Sequence, residues 1–213
     1  MPKVPAQYLE ARKNEILDAA FTCFRRRGFH QSTMQDICHE AQLSPGAVYR
    51  YFRSKAEIID AAIDRNTAEW TNLIASMRSQ APSPGDALDM MANYFFGRLQ
   101  EPGFVQETRL DIETWPEILR DDQLRASFAR QFAALRVLFV QLFREAQAEG
   151  YLREGPAPEH LFNLVAALYQ GLRLNTLFEP EAVDPDAVAQ TLVELLRGPK
   201  SGPASSAPSM EGD

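Results

Sequence analysis

The stretch SPGAVYRYF, Ser44 to Phe52, decides the fold. Ser44 is an N-cap residue whose hydroxyl can accept a hydrogen bond from a first-turn N–H, and Pro45 suits the first helical position, so the segment predicts a helix of about two turns. At helical spacing Val48 and Phe52 share one face, while Pro45, Gly46, Tyr49 and Arg50 point outward. Gly46 lowers helix propensity by about 1 kcal/mol relative to Ala. The compensating benefit is close approach of the backbone to a phosphate or a base edge, where exposed first-turn N–H groups meet negative charge.

Upstream, Ile16, Leu17, Ala20, Phe21 and Phe24 form the apolar face of a first helix that stops at Gly28, with Arg25, Arg26 and Arg27 opposing the helix dipole in its last turn. These arginines read equally as a C-terminal cap or a DNA-binding arm. A second helix of about eight or nine residues begins at Ser32 or Thr33, with Gln35 and Asp36 placed for a capping box, and buries Met34, Ile37 and Ala41. Two short helices joined by a turn form a helix-turn-helix, which lays its second helix in the DNA major groove. On that geometry Gly46, Ala47 and Arg50 read bases and Gln35 is a further adenine reader, while Tyr49, Tyr51 and Lys55 reach phosphates.

Downstream the 3.6-residue period persists and strand signals are nearly absent, so the chain reads as all-α with about nine helices. Ser54 and Glu57 start a long fourth helix with the stripe Ile58, Ile59, Ala62, Ile63, Asn66, Trp70, Leu73, Ile74 and Met77, suited to joining two domains. Ser83 and Pro84 start a fifth that runs past Leu99 towards Gly103. A sixth spans about 104–115, a seventh about 121–150, an eighth about 158–178 and a ninth about 184–197. The expected domains are a helix-turn-helix DNA-binding unit at 8–55, a helical bundle at 56–198, and a tail at 199–213, rich in Pro, Ser and Gly and expected to be disordered.

The net charge of −7 opposes nucleic-acid binding, but it is unevenly distributed. Residues 1–55 hold 9 Lys/Arg against 5 Asp/Glu, and the remainder 13 against 24, so a net +4 end sits on a net −11 body. Cys23 and Cys38 form no CxxC unit and read as buried free thiols. His30, His39 and His160 are too dispersed for zinc. The acidic stretch from Glu107 to Asp122 has neither a His nor a nucleophile beside it and reads as a solvated helix face, so neither a cofactor nor catalysis is expected. No apolar run approaches the ~20 residues of a membrane span, and the first residues lack a signal-peptide core, which makes a membrane partner unexpected and the cytoplasm the expected location.

The run RKNEILDAAFTCFRRRGFHQSTMQDICHEAQLSPGAVYRYFRSKAEI resembles the N-terminal domain of TetR/AcrR-type transcriptional regulators, over about Ala11 to Ile59. The resemblance places Thr33, Ser44, Gly46, Tyr49, Tyr51 and Lys55 at the family's usual DNA contacts, with Pro45 where a Lys often stands. It also implies that the rest of the chain binds an inducer and dimerises. Trp70, Met77, Met90, Tyr94, Trp115, Phe128 and Phe132, with Phe95, lie on the helices that surround the inducer cavity in that family, and Asn93 and Asn175 are polar candidates in apolar stripes. The apolar faces of the eighth helix (Leu161, Leu164, Val165, Leu168, Leu172) and the ninth (Val188, Leu192, Leu195, Leu196) suit a dimeric four-helix interface. The implied function is a homodimeric regulator, a repressor released from a double-stranded operator by a small apolar or aromatic effector, with the fourth helix as transmitter. The alternatives are a helical metabolite-binding protein or enzyme in which the N-terminal unit only packs, and a nucleoid-type DNA binder with no effector, which the acidic body disfavours.

Overall fold

The computed structural model describes residues 6–182 and 184–197. Among these, nine α-helices carry the fold: α1 (Ala6–Arg27), α2 (Met34–Glu40), α3 (Pro45–Val48), α4 (Lys55–Gln80), α5 (Pro84–Gly97), α6 (Phe104–Arg120), α7 (Asp122–Ala148), α8 (Pro158–Phe178) and α9 (Pro185–Leu196). The only β pairing among the described residues is an isolated bridge between Leu152 and Arg197, where the Arg153 N–H also donates to Leu196 O at 2.9 Å. The tail at 199–213, expected to be disordered, lies outside the described residues.

Short polar side chains set the helix starts, as their positions before apolar runs predict. The Thr33 hydroxyl accepts from the Asp36 N–H at 3.1 Å, and Asp36 accepts from the Thr33 N–H at 2.9 Å, a complete capping box. Ser44, Ser54 and Ser83 likewise cap α3, α4 and α5, and Asp121 and Asp184 cap α7 and α9.

Three boundaries differ from the sequence expectation. Helix α5 ends at Gly97, short of the expected run past Leu99, where the chain tightens into a 3-10 turn over Arg98–Gln100. Helix α3 is a single turn rather than two, because the N–H groups of Tyr51 and Phe52 both turn back to Val48 O. That tightening swings Phe52 into the core, where it is 3% exposed. Helix α6 does not stop at Trp115 but continues through Pro116 to Arg120. Proline removes one N–H from the ladder and disfavours a helix interior. Here the buried Ile118 on the far side, packed in the same core cluster as Leu124 of α7, holds the continuation in place.

The largest buried cluster joins the two expected domains. Ile16, Phe24, Ile37, Val48 and Phe52 of the N-terminal unit pack in it with Ile58, Ile59 and Ile63 of α4, and with Leu110, Ile118 and Leu124 of α6 and α7. Below it, the Ser127 hydroxyl donates to the Asp60 carboxylate, which also accepts from Gln123 Nε2 at 3.0 Å. The N-terminal half of α4 is therefore fixed both to the DNA-binding unit and to α7. Three further clusters fill the bundle, one between α7 and α8, one among α4, α5 and α7, and one joining α5 to α6, α8 and α9.

Candidate nucleic-acid interface and ligand cavity

The outer face of the helix-turn-helix collects most of the residues predicted for it. Thr33, Gln35, Ser44, Pro45, Gly46, Tyr49 and Arg50 are exposed, while Ala47 is half-buried. A Cβ built on Gly46 would meet nothing within 4 Å, and its φ is not left-handed. The chain's own packing thus leaves the surface at residue 46 open. Among the described residues, Arg50 and Arg53 make no ion pair, whereas Arg26 pairs with Glu40 at 3.1 Å and Arg27 with Asp36 at 2.6 Å. The free charge next to α3 therefore comes from Arg50 and from Arg53, which the sequence reading passed over. Arg26 and Arg27 instead tie α1 to α2.

Two predicted phosphate contacts sit further in. Tyr51 is half-buried against the joint cluster. Lys55 points its ammonium at the backbone of the α1–α2 corner, with Nζ 2.7 Å from Phe29 O, 3.4 Å from His30 O and 4.3 Å above the Phe29 ring. Burial pushes its pKa down, with the Glu117 carboxylate opposing. Phe29 is held from a second side: its N–H donates to Glu113 Oε2 of α6 at 2.8 Å. Gly28, at φ +81°, makes room for that carboxylate, since a Cβ there would lie 3.1 Å from it.

Below the joint lies a cavity of about 640 Å³ walled by α4 to α9 and by Phe21, Phe24 and Arg25 of α1. Trp70, Tyr94, Trp115, Phe128 and Phe132 line it, as expected. Phe95 is the hub of its aromatic wall, with ring centroids 5.2 Å from Trp70, 5.5 Å from Tyr94, 5.9 Å from Tyr169 and 6.2 Å from Phe139. Four other candidates do not line it. Met77 packs with Ile74 and Leu142 in the α4–α5–α7 cluster. Met90, Asn93 and Asn175 are exposed on the outer faces of α5 and α8. Within the single chain both asparagines face outward, away from the cavity.

The polar groups in the cavity are mostly ones the sequence reading missed. Arg98, after the end of α5, has its guanidinium 5.3 Å from the Trp70 ring and donates from Nη2 to Glu107 Oε2 at 2.8 Å. Arg173 of α8 donates to Asp111 and to Gln170 Oε1, the latter at 3.0 Å. Tyr169 has its phenol pushed up by burial, an effect that Arg173 and Arg98 oppose. The available signal was an arginine inside an otherwise apolar run, as in LYQGLRLNTLF, where a charge must find a partner. Chemically the site can bind and orient a molecule. Among the described residues no group of three His, Cys, Asp or Glu is placed to hold a metal. Cys23 and Cys38 are buried free thiols with pKa values raised by desolvation. No helix among the described residues is long and apolar enough to cross a membrane.

Comparison with known proteins agrees with this arrangement. The family described as "Bacterial regulatory proteins, tetR family" matches residues 16–62, and that described as "BetI-type transcriptional repressor, C-terminal" matches residues 86–198. The HTH-type transcriptional regulator UidR of Escherichia coli (strain K12) is 28% identical over 173 residues, covering 81% of this chain and 83% of the relative. A TetR transcription regulator from Haloarcula marismortui ATCC 43049 shares the fold with a TM-score of 0.76 at 16% identity, over 88% of this chain and 99% of that one. A regulator from Saccharomonospora viridis in complex with choline does so with a TM-score of 0.73 at 22% identity, over 87% and 95%.

Proposed function

The chain belongs to the TetR family of bacterial regulatory proteins, with a C-terminal domain of the BetI-type transcriptional repressors, and on that premise we propose how it regulates. It is a DNA-binding, ligand-responsive repressor. The operator face consists of Thr33, Gln35, Ser44 to Ala47, Tyr49 and Arg50, joined by Arg53, with Tyr51 and Lys55 bracing it from behind. Gly46 and Ala47 let the first turn of α3 approach the groove closely. One turn of helix reads few base pairs, so the working unit is a homodimer with recognition helices about 34–36 Å apart.

The dimer surface is narrower than the apolar stripes of the sequence. Leu161 and Leu172 are buried inside the monomer, at 2% and 6% exposure. The outward stripe on α8 instead runs Leu164, Ala167, Gly171, Asn175 and Phe178 at helical spacing, with Leu195 of α9 beside it; Leu164, Phe178 and Leu195 are each more than 60% exposed.

The effector occupies the aromatic cavity, and one observation carries this reading: Phe21 and Phe24 belong at once to the α1 packing and to the cavity lining. A ligand there touches the DNA-binding unit directly. Release requires only that it favours the arrangement unable to span two half-sites, and a coupling of ~1–3 kcal/mol gives a ~5–150-fold loss of operator affinity. The site of action is the cytoplasm, where the DNA is.

The test is fluorescence anisotropy on DNA flanking the gene, with Gly46→Ala and Leu164→Glu beside the parent. Gly46→Ala should leave the melting temperature unchanged or slightly raised while operator affinity falls about tenfold or more. Leu164→Glu should yield a folded monomer with little operator affinity. Tight operator binding by both variants would refute the proposed surfaces.

A further inference from the structure

We propose that the cavity is built for a monoanionic, carboxylate-bearing effector with an apolar body, its carboxylate held between Arg98 and Arg173. The proposal rests on the effector-responsive reading above and names the class of molecule that the site takes.

The first observation is charge. In a chain of net charge −7, the described residues lining the cavity include four arginines, at 25, 65, 98 and 173, against three carboxylates, at Glu69, Glu107 and Asp111. Arg65 is paired behind the wall with Asp18 at 2.8 Å, while Arg98 and Arg173 are paired with Glu107 and Asp111 and keep further donors free. Two of these cations are deeply set, Arg98 at 19% and Arg173 at 16% side-chain exposure. A carboxylate is an acceptor that suits the donors these forks keep free.

The second observation is unmet hydrogen-bonding capacity. Nε of Arg98 and Nε of Arg173 are buried without an acceptor, and with Thr108 Oγ1 they are the only such side-chain atoms among the described residues. The Glu101 carboxylate stands 3.7 Å from Arg98 Nε, beyond hydrogen-bonding reach. A buried donor without an acceptor is costly, so a ligand that supplies one is favoured. The two guanidinium groups also share a neighbour: both lie against the Phe104 ring, 5.8 Å and 5.6 Å from its centroid. A carboxylate entering there meets two planar forks, and a modest turn of either guanidinium presents Nε and Nη together, the bidentate geometry carboxylates prefer.

The same geometry disfavours the opposite charge at this corner of the cavity. A quaternary ammonium needs free aromatic faces, yet Arg98 already covers Trp70 and Phe104. The relative in complex with choline therefore does not set the ligand class here. The apolar body of the effector lies instead along Phe95, Phe139 and Phe132.

Both tryptophans of the chain, Trp70 and Trp115, line the cavity, so their fluorescence in the full-length protein reports occupancy. The probes are phenylbutyrate, phenylbutyramide and phenylbutyl-trimethylammonium, which share a body and differ in end charge. Phenylbutyrate should bind about ten- to a hundredfold more tightly than the other two. Arg98→Gln and Arg173→Gln should each remove most of that preference while leaving amide affinity within about twofold. Arg98→Lys, which keeps the charge without the fork, should fall between, and its melting curve controls for folding. Equal or tighter binding of the ammonium or the amide, no phenylbutyrate binding up to its solubility limit, or a preference that survives both glutamine variants would overturn the proposal. Operator release is read separately by anisotropy. Carboxylate-selective binding without release would sink the effector reading and leave the anion site standing; equal release by all three probes would do the reverse.

Discussion

The helix-turn-helix and the cavity solve opposite problems with the same residue types. In the first, arginines are spent outward: Arg26 and Arg27 fasten α1 to α2 at the surface, and Arg50 and Arg53 stand free beside an unobstructed glycine. In the second, Arg98 and Arg173 are drawn inward, laid on aromatic rings, and left with donors unanswered. The DNA-facing unit is satisfied within itself and offers charge to a large polyanion. The cavity leaves two buried arginine donors without an acceptor, the feature on which the proposed small monoanion rests. A regulator needs both conditions, because a reading head must hold its shape while a sensor must gain something from its ligand.

The sharpest challenge to this contrast is Phe24, which serves both regions. At 2% exposure it belongs to the joint cluster and also lines the cavity. Phe24→Ala should cost about 3–5 kcal/mol, as large-to-small changes of buried aromatics do. Urea unfolding followed by tryptophan fluorescence and by far-ultraviolet circular dichroism should show one shared, lowered transition. Two separated transitions would mean that the regions are independent after all.

A smaller effect is expected where the regions touch through one hydrogen bond. Glu113→Ala leaves the Phe29 N–H without its 2.8 Å acceptor, and stability should fall by about 1 kcal/mol. The more telling readout is coupling: the ratio of operator affinities without and with effector should shrink about threefold or more. If the ratio is unchanged while stability drops, the bond is structural only and the signal passes through α4 alone.

The smallest effect is confined to the reading head. The Asp36 carboxyl is held below its usual range, first by the Thr33 hydroxyl, then by the Thr33 N–H, with Arg27 adding to them against desolvation. Its folded pKa is depressed, so its stabilisation is complete above the unfolded value of about 3.9 and is lost as pH falls through the folded value. Acid titration by NMR should therefore loosen α2 below that range in the parent protein. Asp36→Asn should remove this acid-dependent step without altering the signals of α7 or α8.

How far each region could be read from sequence follows from the range of its interactions. Capping is local, so Thr33, Ser44, Ser54 and Ser83 marked their helix starts correctly, and the exposed face of SPGAVYRYF followed from spacing alone. The single-turn length of α3 did not, because it is set by Phe52 turning into a core assembled from five other helices. Pro116 misled for the same reason: the local rule stops a helix there, and the long-range burial of Ile118 overrides it. In the cavity, Trp70 and Phe132 were recoverable as large residues on inward stripes. Asn93 and Asn175 were not, since an asparagine at the edge of a stripe faces in or out according to partners that only the assembled bundle supplies. Arg98 and Arg173 were missed because the sequence shows a charge without showing the acid or the ring against which it rests.

Phe29 presents its N–H to α6 and its C=O to α4, through Glu113 and Lys55. A residue tethered to two references cannot report the position of either one. If both helices shift together the corner moves with them and both bonds persist; if one slides past the other, one bond must lengthen. The corner is thus a comparator, deaf to rigid motions of the bundle and sensitive to shear between its helices. Effectors of very different shape can then give the same output at the DNA, provided each displaces α6 relative to α4.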